Sequence, residues 1–343
     1  MTTPSVPAAG SDPKEMLART MAFQPAKLLL TAVELGLFEE LAAGPVAEAQ
    51  LRDGLGLHPR GTADFLQALV ALGAIEETDG RYQLGPRAGT LLPGVPTSLT
   101  GFLRIANRVM YPAWGRLAEG LRTGAPQAAT YHGSDMFNEL YAHEDTRREL
   151  VRMAEDASAP LIPALVERFD WRSYKSVLEL GGCRGNVLAE VVRAHPHLDA
   201  RVLDLPQLAP AFAQHMTEIG MTGRLTFHAA DFFVDRVPEA DVIMIGHCLV
   251  DWDDEQRTKL IRRVAPCVHP GGVFLIWDPI VVPGEESYLR NLIRSLNLQL
   301  LTPYGSGYRL ADCVAWLAEA GFREVNHVAL GHDVTLVVAH KAG

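Results

Sequence analysis

The stretch Glu179-Leu180-Gly181-Gly182-Cys183-Arg184-Gly185-Asn186 decides how the chain folds. It leaves the apolar run Ser176-Val177-Leu178 and opens an amphipathic helix-like segment over 186–194. Glycines at such a junction let the backbone turn sharply and approach a ligand closely. The Gly-Gly-x-x-Gly spacing is not the Gly-x-Gly-x-x-Gly of dinucleotide sites, and no Gly-Lys-Ser/Thr follows, which rules against a P-loop. Taken alone, the motif fits a purely geometric strand exit equally well.

Four more strand-like runs follow, ending in Arg201-Val202-Leu203-Asp204, Leu225-Thr226-Phe227-His228, Val242-Ile243-Met244-Ile245 and Val273-Phe274-Leu275-Ile276-Trp277. Helix-like stretches at 186–194, 208–219 and 254–264 lie between them. This alternation predicts an α/β fold with a parallel sheet and a ligand site at the carboxyl ends of its strands. Carboxylates stand at or just after the ends of the first three strands. Asp204 can accept both hydroxyls of a ribose, and Asp231-Phe232 sets an acceptor for an adenine amino group beside a ring that packs on it. A nucleoside site without phosphate chemistry suits S-adenosylmethionine better than a nucleotide.

Upstream, residues 1–16 are polar and read as a loose tail, without the basic and apolar segments of a signal peptide. Residues 17–100 read as helices at 25–41, 50–55 and 62–72, followed by a hairpin over 74–84 with Asp79-Gly80 as its turn. Three helices and a hairpin make a winged-helix pattern. Arg52 and Arg60 are too few for a recognition helix, so dimerisation or structural use is preferred over DNA binding. A helical region over 101–170 leads into the α/β part at 171–343.

Composition supports this outline. Of 343 residues, 48% are apolar and 21% charged, which is globular and not disordered. No run of about 18 apolar residues occurs, so no membrane helix is expected. The formal charge of −10 repels nucleic acid. Cys183, Cys248, Cys267 and Cys313 lack zinc or disulfide spacing, which fits reduced thiols and a cytoplasmic location.

The chain resembles the bacterial small-molecule O-methyltransferases that act on aromatic natural products, over about residues 17–340. The likeness is carried by Ala32-Val33-Glu34-Leu35-Gly36-Leu37, Glu179 to Gly185, Asp204-Leu205-Pro206, Asp231-Phe232-Phe233, Asp251-Trp252-Asp253-Asp254-Glu255, Pro270-Gly271-Gly272 and Glu319-Ala320-Gly321-Phe322. The resemblance implies a class I methyltransferase Rossmann-like sheet behind a winged-helix-like dimerisation domain, a homodimer, a small-molecule substrate and S-adenosylmethionine as methyl donor. It implies cofactor contacts at Glu179, Gly181, Asp204, Leu205, Asp231, Phe232 and Trp252. Gly246 matches a position that is often Lys or Ser in relatives and touches the cofactor.

The departure from the family pattern lies after the fourth strand. Relatives usually read Leu-His-Asp-Trp there, with the histidine as general base; this chain reads Leu249-Val250-Asp251-Trp252. Valine cannot accept a proton. His247 precedes it by three residues, which in an extended strand points its side chain the other way. It therefore reads as structural or cofactor-adjacent in preference to a replacement base. The family's Gly-x-Glu-Arg-Thr segment corresponds to Gly305–Leu310 here and lacks the acid, while Asp278 loosely matches another acidic position. His247, Asp251 and Asp278 are thus the catalytic candidates, and no metal is expected from them.

O-methylation by proximity alone is the favoured reading. Orientation can supply about 7–11 kcal/mol, against about 10²–10⁴-fold from a general base. Carbon or nitrogen methylation, a non-methylating use of the cofactor and a winged-helix regulator are the alternatives. Candidate substrate-lining residues are Tyr111, Trp114, His132, Phe137, Met153, Asn297 and Tyr304, a wall suited to a flat, apolar molecule. Trp114 and Phe137 serve equally well as ordinary core.

Overall fold

Glycine and the alternation of apolar residues set the element boundaries in the computed structural model, which describes residues 12–86, 88–92, 98–128, 136–331 and 333–343. The chain divides into two compact units, 1–111 and 112–343.

In the first unit the expected single helix over 25–41 is two, Phe23–Glu34 and Leu37–Leu41. Gly36 between them adopts φ 76°, a left-handed conformation that ends the first helix. Helices Glu48–Gly54 and Pro59–Ala71 follow. Strands β2 (Ile75–Thr78) and β3 (Arg81–Leu84) form the hairpin, with Asp79 and Gly80 both at positive φ as a tight primed turn demands. A short strand β1 (Val46–Ala47) adds to β3 and makes the sheet three-stranded. Leu37, Phe38, Leu41, Leu66, Leu69 and Ile75 fill the core of this unit.

The second unit carries strands β4 (Ser176–Leu180), β5 (Asp199–Asp204), β6 (Leu225–Ala229), β7 (Ala240–Gly246), β8 (Val268–Asp278), β9 (Phe322–Gly331) and β10 (Val334–Lys341). Among the described residues they form one sheet in the order β6-β5-β4-β7-β8-β10-β9, parallel from β6 to β8, with β10 antiparallel to both its neighbours. The antiparallel pair was outside the sequence expectation, which ended with β8. Side chains alternate between two cores. Val242, Met244, Val273 and Leu275 enter one, while Ile243, Ile245, Phe274 and Ile276 enter the other. Burial on both faces explains why these strands read as unbroken apolar runs. The strand order reverses at β4, flanked by β5 and β7, and a crevice opens at such a switch point beyond the carboxyl ends. No helix among the described residues is long and apolar enough to cross a membrane.

Candidate functional site

Beyond β4 the backbone turns through Gly181 (φ 66°), Cys183 (φ 55°) and Gly185 (φ 80°) into helix Asn186–Ala194. Gly182 is fixed by space: a Cβ there would lie 2.7 Å from Glu179 Oε2. Glu179 is buried, its Oε2 lacks a hydrogen-bond partner among the described residues, and burial pushes its carboxyl up to about 8.

Asp204, at the end of β5, faces this turn. Its Oδ2 accepts from the Cys183 amide at 2.8 Å and its Oδ1 from the Leu205 amide at 2.7 Å. Each oxygen keeps a lone pair for a further donor. Burial pushes this carboxyl up to about 6, against the pull of those two amides.

Asp231 follows β6. Its Oδ1 accepts from the Phe233 amide at 2.7 Å, which sets the loop that presents Phe232 and Phe233. Phe233 meets Trp252 edge-on at 4.7 Å, and Phe232 stands edge-on to both. Helix Met136–Ala142 adds Phe137, 5.7 Å from Trp252. The same helix brings Tyr141, whose hydroxyl is pushed up by burial and then by the negative fields of Asp204 and Asp251. Nothing in the sequence distinguished Tyr141 from an ordinary helical tyrosine. The adjoining helix Glu144–Ser158 holds Met153, half-buried, and is anchored to the glycine turn by a forked ion pair from Glu155 to Arg184.

Two expectations about β7 change. The strand ends at Gly246, and His247 takes φ 51°. The period-two argument for its direction therefore does not apply at His247, because the chain has left the extended conformation. Gly246 leaves no room for the lysine or serine of relatives: a Cβ there would lie 1.8 Å from Trp277 Cε2. The Trp277 indole occupies the space that a side chain at position 246 would need.

Val250 is buried in the short 3₁₀ turn Leu249–Asp251, and its carbonyl accepts from the Ser306 amide at 2.8 Å. Arg257 holds this turn from below. Its Nε donates to Leu249 O at 2.8 Å, its Nη1 to Asp254 at 2.6 Å and its Nη2 to both oxygens of Ser306. The guanidinium also lies over the Tyr308 ring at 4.9 Å. Tyr308 stands in the segment where relatives carry the acid, and its hydroxyl donates to Asp278 Oδ2 at 2.8 Å. Burial pushes the carboxyls of Asp278 and Asp251 upward, and Asp251 is pushed further by the charge of Asp278. Arg257 resembles a surface residue of helix Asp254–Val264 in sequence, so its buried role was not legible.

The remaining substrate candidates are dispersed. Trp114 Nε1 donates to Asn297 Oδ1 at 2.9 Å, so these two form one polar contact. Tyr304 lines a recess of about 410 Å³ walled chiefly by residues 302–309, with Ser306, Tyr308 and Asp254 shared with the Arg257 cluster. Tyr111 belongs to the first unit, where Lys27 lies 5.2 Å over its ring. His132 lies outside the described residues.

An O-methyltransferase domain model matches residues 114–323, and an O-methyltransferase dimerisation domain model matches 20–94. The chain is 38% identical to the tetracenomycin polyketide synthesis 8-O-methyl transferase TcmO of Streptomyces glaucescens, over 96% of this chain and 97% of that protein. It is 35% identical to the N,N-dimethyltransferase OxyT of Streptomyces rimosus, over 94% and 93%. Its fold is similar to that of PigF solved with S-adenosylhomocysteine, with a TM-score of 0.85, 25% identity, and 96% of this chain and 100% of that one covered.

Proposed function

The chain belongs to the S-adenosylmethionine-dependent O-methyltransferase family, and from that premise we propose that it methylates a hydroxyl on a small aromatic, polyketide-type intermediate. When bound, S-adenosylmethionine supplies an electrophilic methyl group on a sulfonium. The residues present fit such a donor. The Asp204 carboxylate, oriented by the Cys183 and Leu205 amides, would hold the ribose hydroxyls. Asp231 and the Phe232–Trp252 rings would hold the adenine edge and face, with Leu205 alongside. Gly181 and the Glu179 carboxyl, whose Oε2 lacks a partner among the described residues, would meet the methionine part.

The observation that carries the O-methylation reading is the match of the O-methyltransferase domain model over 114–323 together with the 38% identity to TcmO, while the buried Val250 makes it methylation by proximity. With no imidazole there, Phe137 and Met153 would orient the acceptor, and positioning would supply the rate. The substrate class follows the named activity of TcmO. Residues 17–100 would serve dimerisation, residues 101–170 would wall the acceptor, and residues 171–343 would bind the donor in a cytoplasmic homodimer.

Calorimetric titration with S-adenosylmethionine and S-adenosylhomocysteine tests the donor site, with micromolar binding of both expected and loss of both in Asp204→Ala. Incubation of methyl-labelled donor with a panel of hydroxynaphthoates, hydroxyanthraquinones and the matching aminoanthraquinones tests the acceptor. Label in an aryl methyl ether supports the reading, whereas label on carbon, or label taken up only by the matching aminoanthraquinones, overturns it in favour of C-methylation or of the activity that OxyT's name describes.

A further inference from the structure

We propose that His247 and Trp277 form an oxyanion-binding subsite that receives the acceptor's hydroxyl oxygen already ionised, so that the acceptor is a phenol or enol acidified by a neighbouring ring carbonyl. This rests on the methyltransferase reading and gives it a chemistry in place of the missing histidine.

The two side chains are brought together by register. Gly246 at the end of β7 pairs with Trp277 near the end of β8. Only a glycine at 246 lets the indole lie across that strand, because a Cβ would sit 1.8 Å from Cε2. His247 then leaves the strand with φ 51°, a conformation uncommon outside glycine and held here against intrinsic preference. Its ring meets the indole edge-on, with centroids 4.9 Å apart at 85°. His247 Nε2 and Trp277 Nε1 are both buried with no hydrogen-bond partner among the described residues. Buried polar atoms left unpaired forfeit their hydration without return, and an adjacent pair of them calls for a ligand. An indole N–H only donates, so the missing partner is an acceptor.

The charges around His247 argue against a base and for a donor. Among the described residues no carboxylate pairs with its ring. Asp278, next along β8, gives Oδ2 to the Tyr308 hydroxyl instead. The charged group acting on the imidazole is Arg294, from helix Tyr288–Leu301, and burial together with that cation holds the ring down to about 4. A neutral imidazole of low basicity is a weak proton acceptor and a serviceable hydrogen-bond donor. With the His247 proton on Nε2, two donors meeting one oxygen in a buried site would stabilise its negative charge. The acceptor would lose its proton to water on binding. Its oxygen lone pair then forms the O–CH3 bond as the S–CH3 bond breaks. That bond's electron pair stays on sulfur, leaving a neutral thioether and a neutral ether, and no protein group changes protonation.

Alizarin, a hydroxyanthraquinone whose visible band shifts to the red on ionisation, tests the subsite without turnover. It is titrated with pH in the presence of the full-length protein saturated with S-adenosylhomocysteine, whose binding is measured separately by calorimetry. The ionisation midpoint of the bound dye is expected at least about one pH unit below that of the free dye. His247→Phe and Trp277→Phe should each return most of that shift while still binding S-adenosylhomocysteine, which reports that they fold. A dye bound in its neutral form, a shift untouched by both variants, or no dye binding to a protein that binds S-adenosylhomocysteine overturns the subsite. Failure of S-adenosylhomocysteine itself to bind overturns the methyltransferase reading and the subsite with it.

Discussion

Single atoms decide much of this site. A methyl group added at Gly246 has to displace the Trp277 indole, so Gly246→Ala should lose about 1–3 kcal/mol of stability by overpacking. Urea unfolding checks this, and an unchanged midpoint would mean that the indole lies elsewhere. Gly182→Ala acts differently, because what it meets is the Glu179 side chain, Oε2 at 2.7 Å and Cδ and Cγ at 2.9 Å, in the proposed donor site. Its expected signature is weaker S-adenosylhomocysteine binding with a nearly unchanged melting temperature, read by calorimetry beside thermal unfolding. Asp204 gives the site a pH dependence. In the proposed donor site the ribose hydroxyls would bind the carboxylate form, and burial raises the free protein's carboxyl to about 6. Affinity for S-adenosylhomocysteine is therefore full above that value and falls as pH drops through it, by up to about tenfold per unit. An affinity flat from pH 7 to pH 5 would remove Asp204 from the binding account.

At the scale of elements, the 3₁₀ turn Leu249–Asp251 and the segment 305–308 are one mechanical piece joined by Arg257. Its guanidinium is 1% exposed and spends its donors on Leu249 O, Asp254 and Ser306. Arg257→Ala would leave buried carbonyls unpaired at about 1–3 kcal/mol each, and Arg257→Lys would not restore a planar fork. Both variants should melt well below the parent, with lysine rescuing little of the loss. Near-complete rescue by lysine would show that charge alone holds the turn. Sequence gave no warning of this clamp, since an arginine followed by Thr258 and Lys259 reads as the solvent face of a helix. Trp277 was similarly hidden, because a tryptophan closing an apolar strand reads as core whether or not its N–H lacks a partner.

For the molecule as a whole, the first helix, Pro13–Met21, buries none of its residues. Met16, Leu17 and Phe23 are more than half exposed, at 57%, 59% and 51%. Apolar side chains bunched in this way just before and at the start of the stretch 20–94 matched by the dimerisation domain model suit a partner surface. The doubly substituted Leu17→Glu, Phe23→Glu chain should sediment as a monomer where the parent sediments as a dimer. Parent and variant of equal mass in solution would place the dimer contact elsewhere in the chain.

The sequence by itself determined the parallel sheet, the glycine turn and the three carboxylates, because these follow from local rules. Apolar runs make buried strands, glycine alone turns freely at positive φ, and each carboxylate stands at or just after a strand end. It also located the hairpin at Asp79-Gly80 and the loss of the base at Val250, which is a matter of identity at one position. Only the tertiary structure decided what replaces that base's surroundings. The pairing of Tyr308 with Asp278, the indole lying across Gly246, the left-handed turn at His247 and the Arg257 clamp each join residues from different strands or loops. Their separation along the chain, 30 residues for Tyr308 and Asp278, carries no trace of contact until sheet register and burial bring them within hydrogen-bond reach.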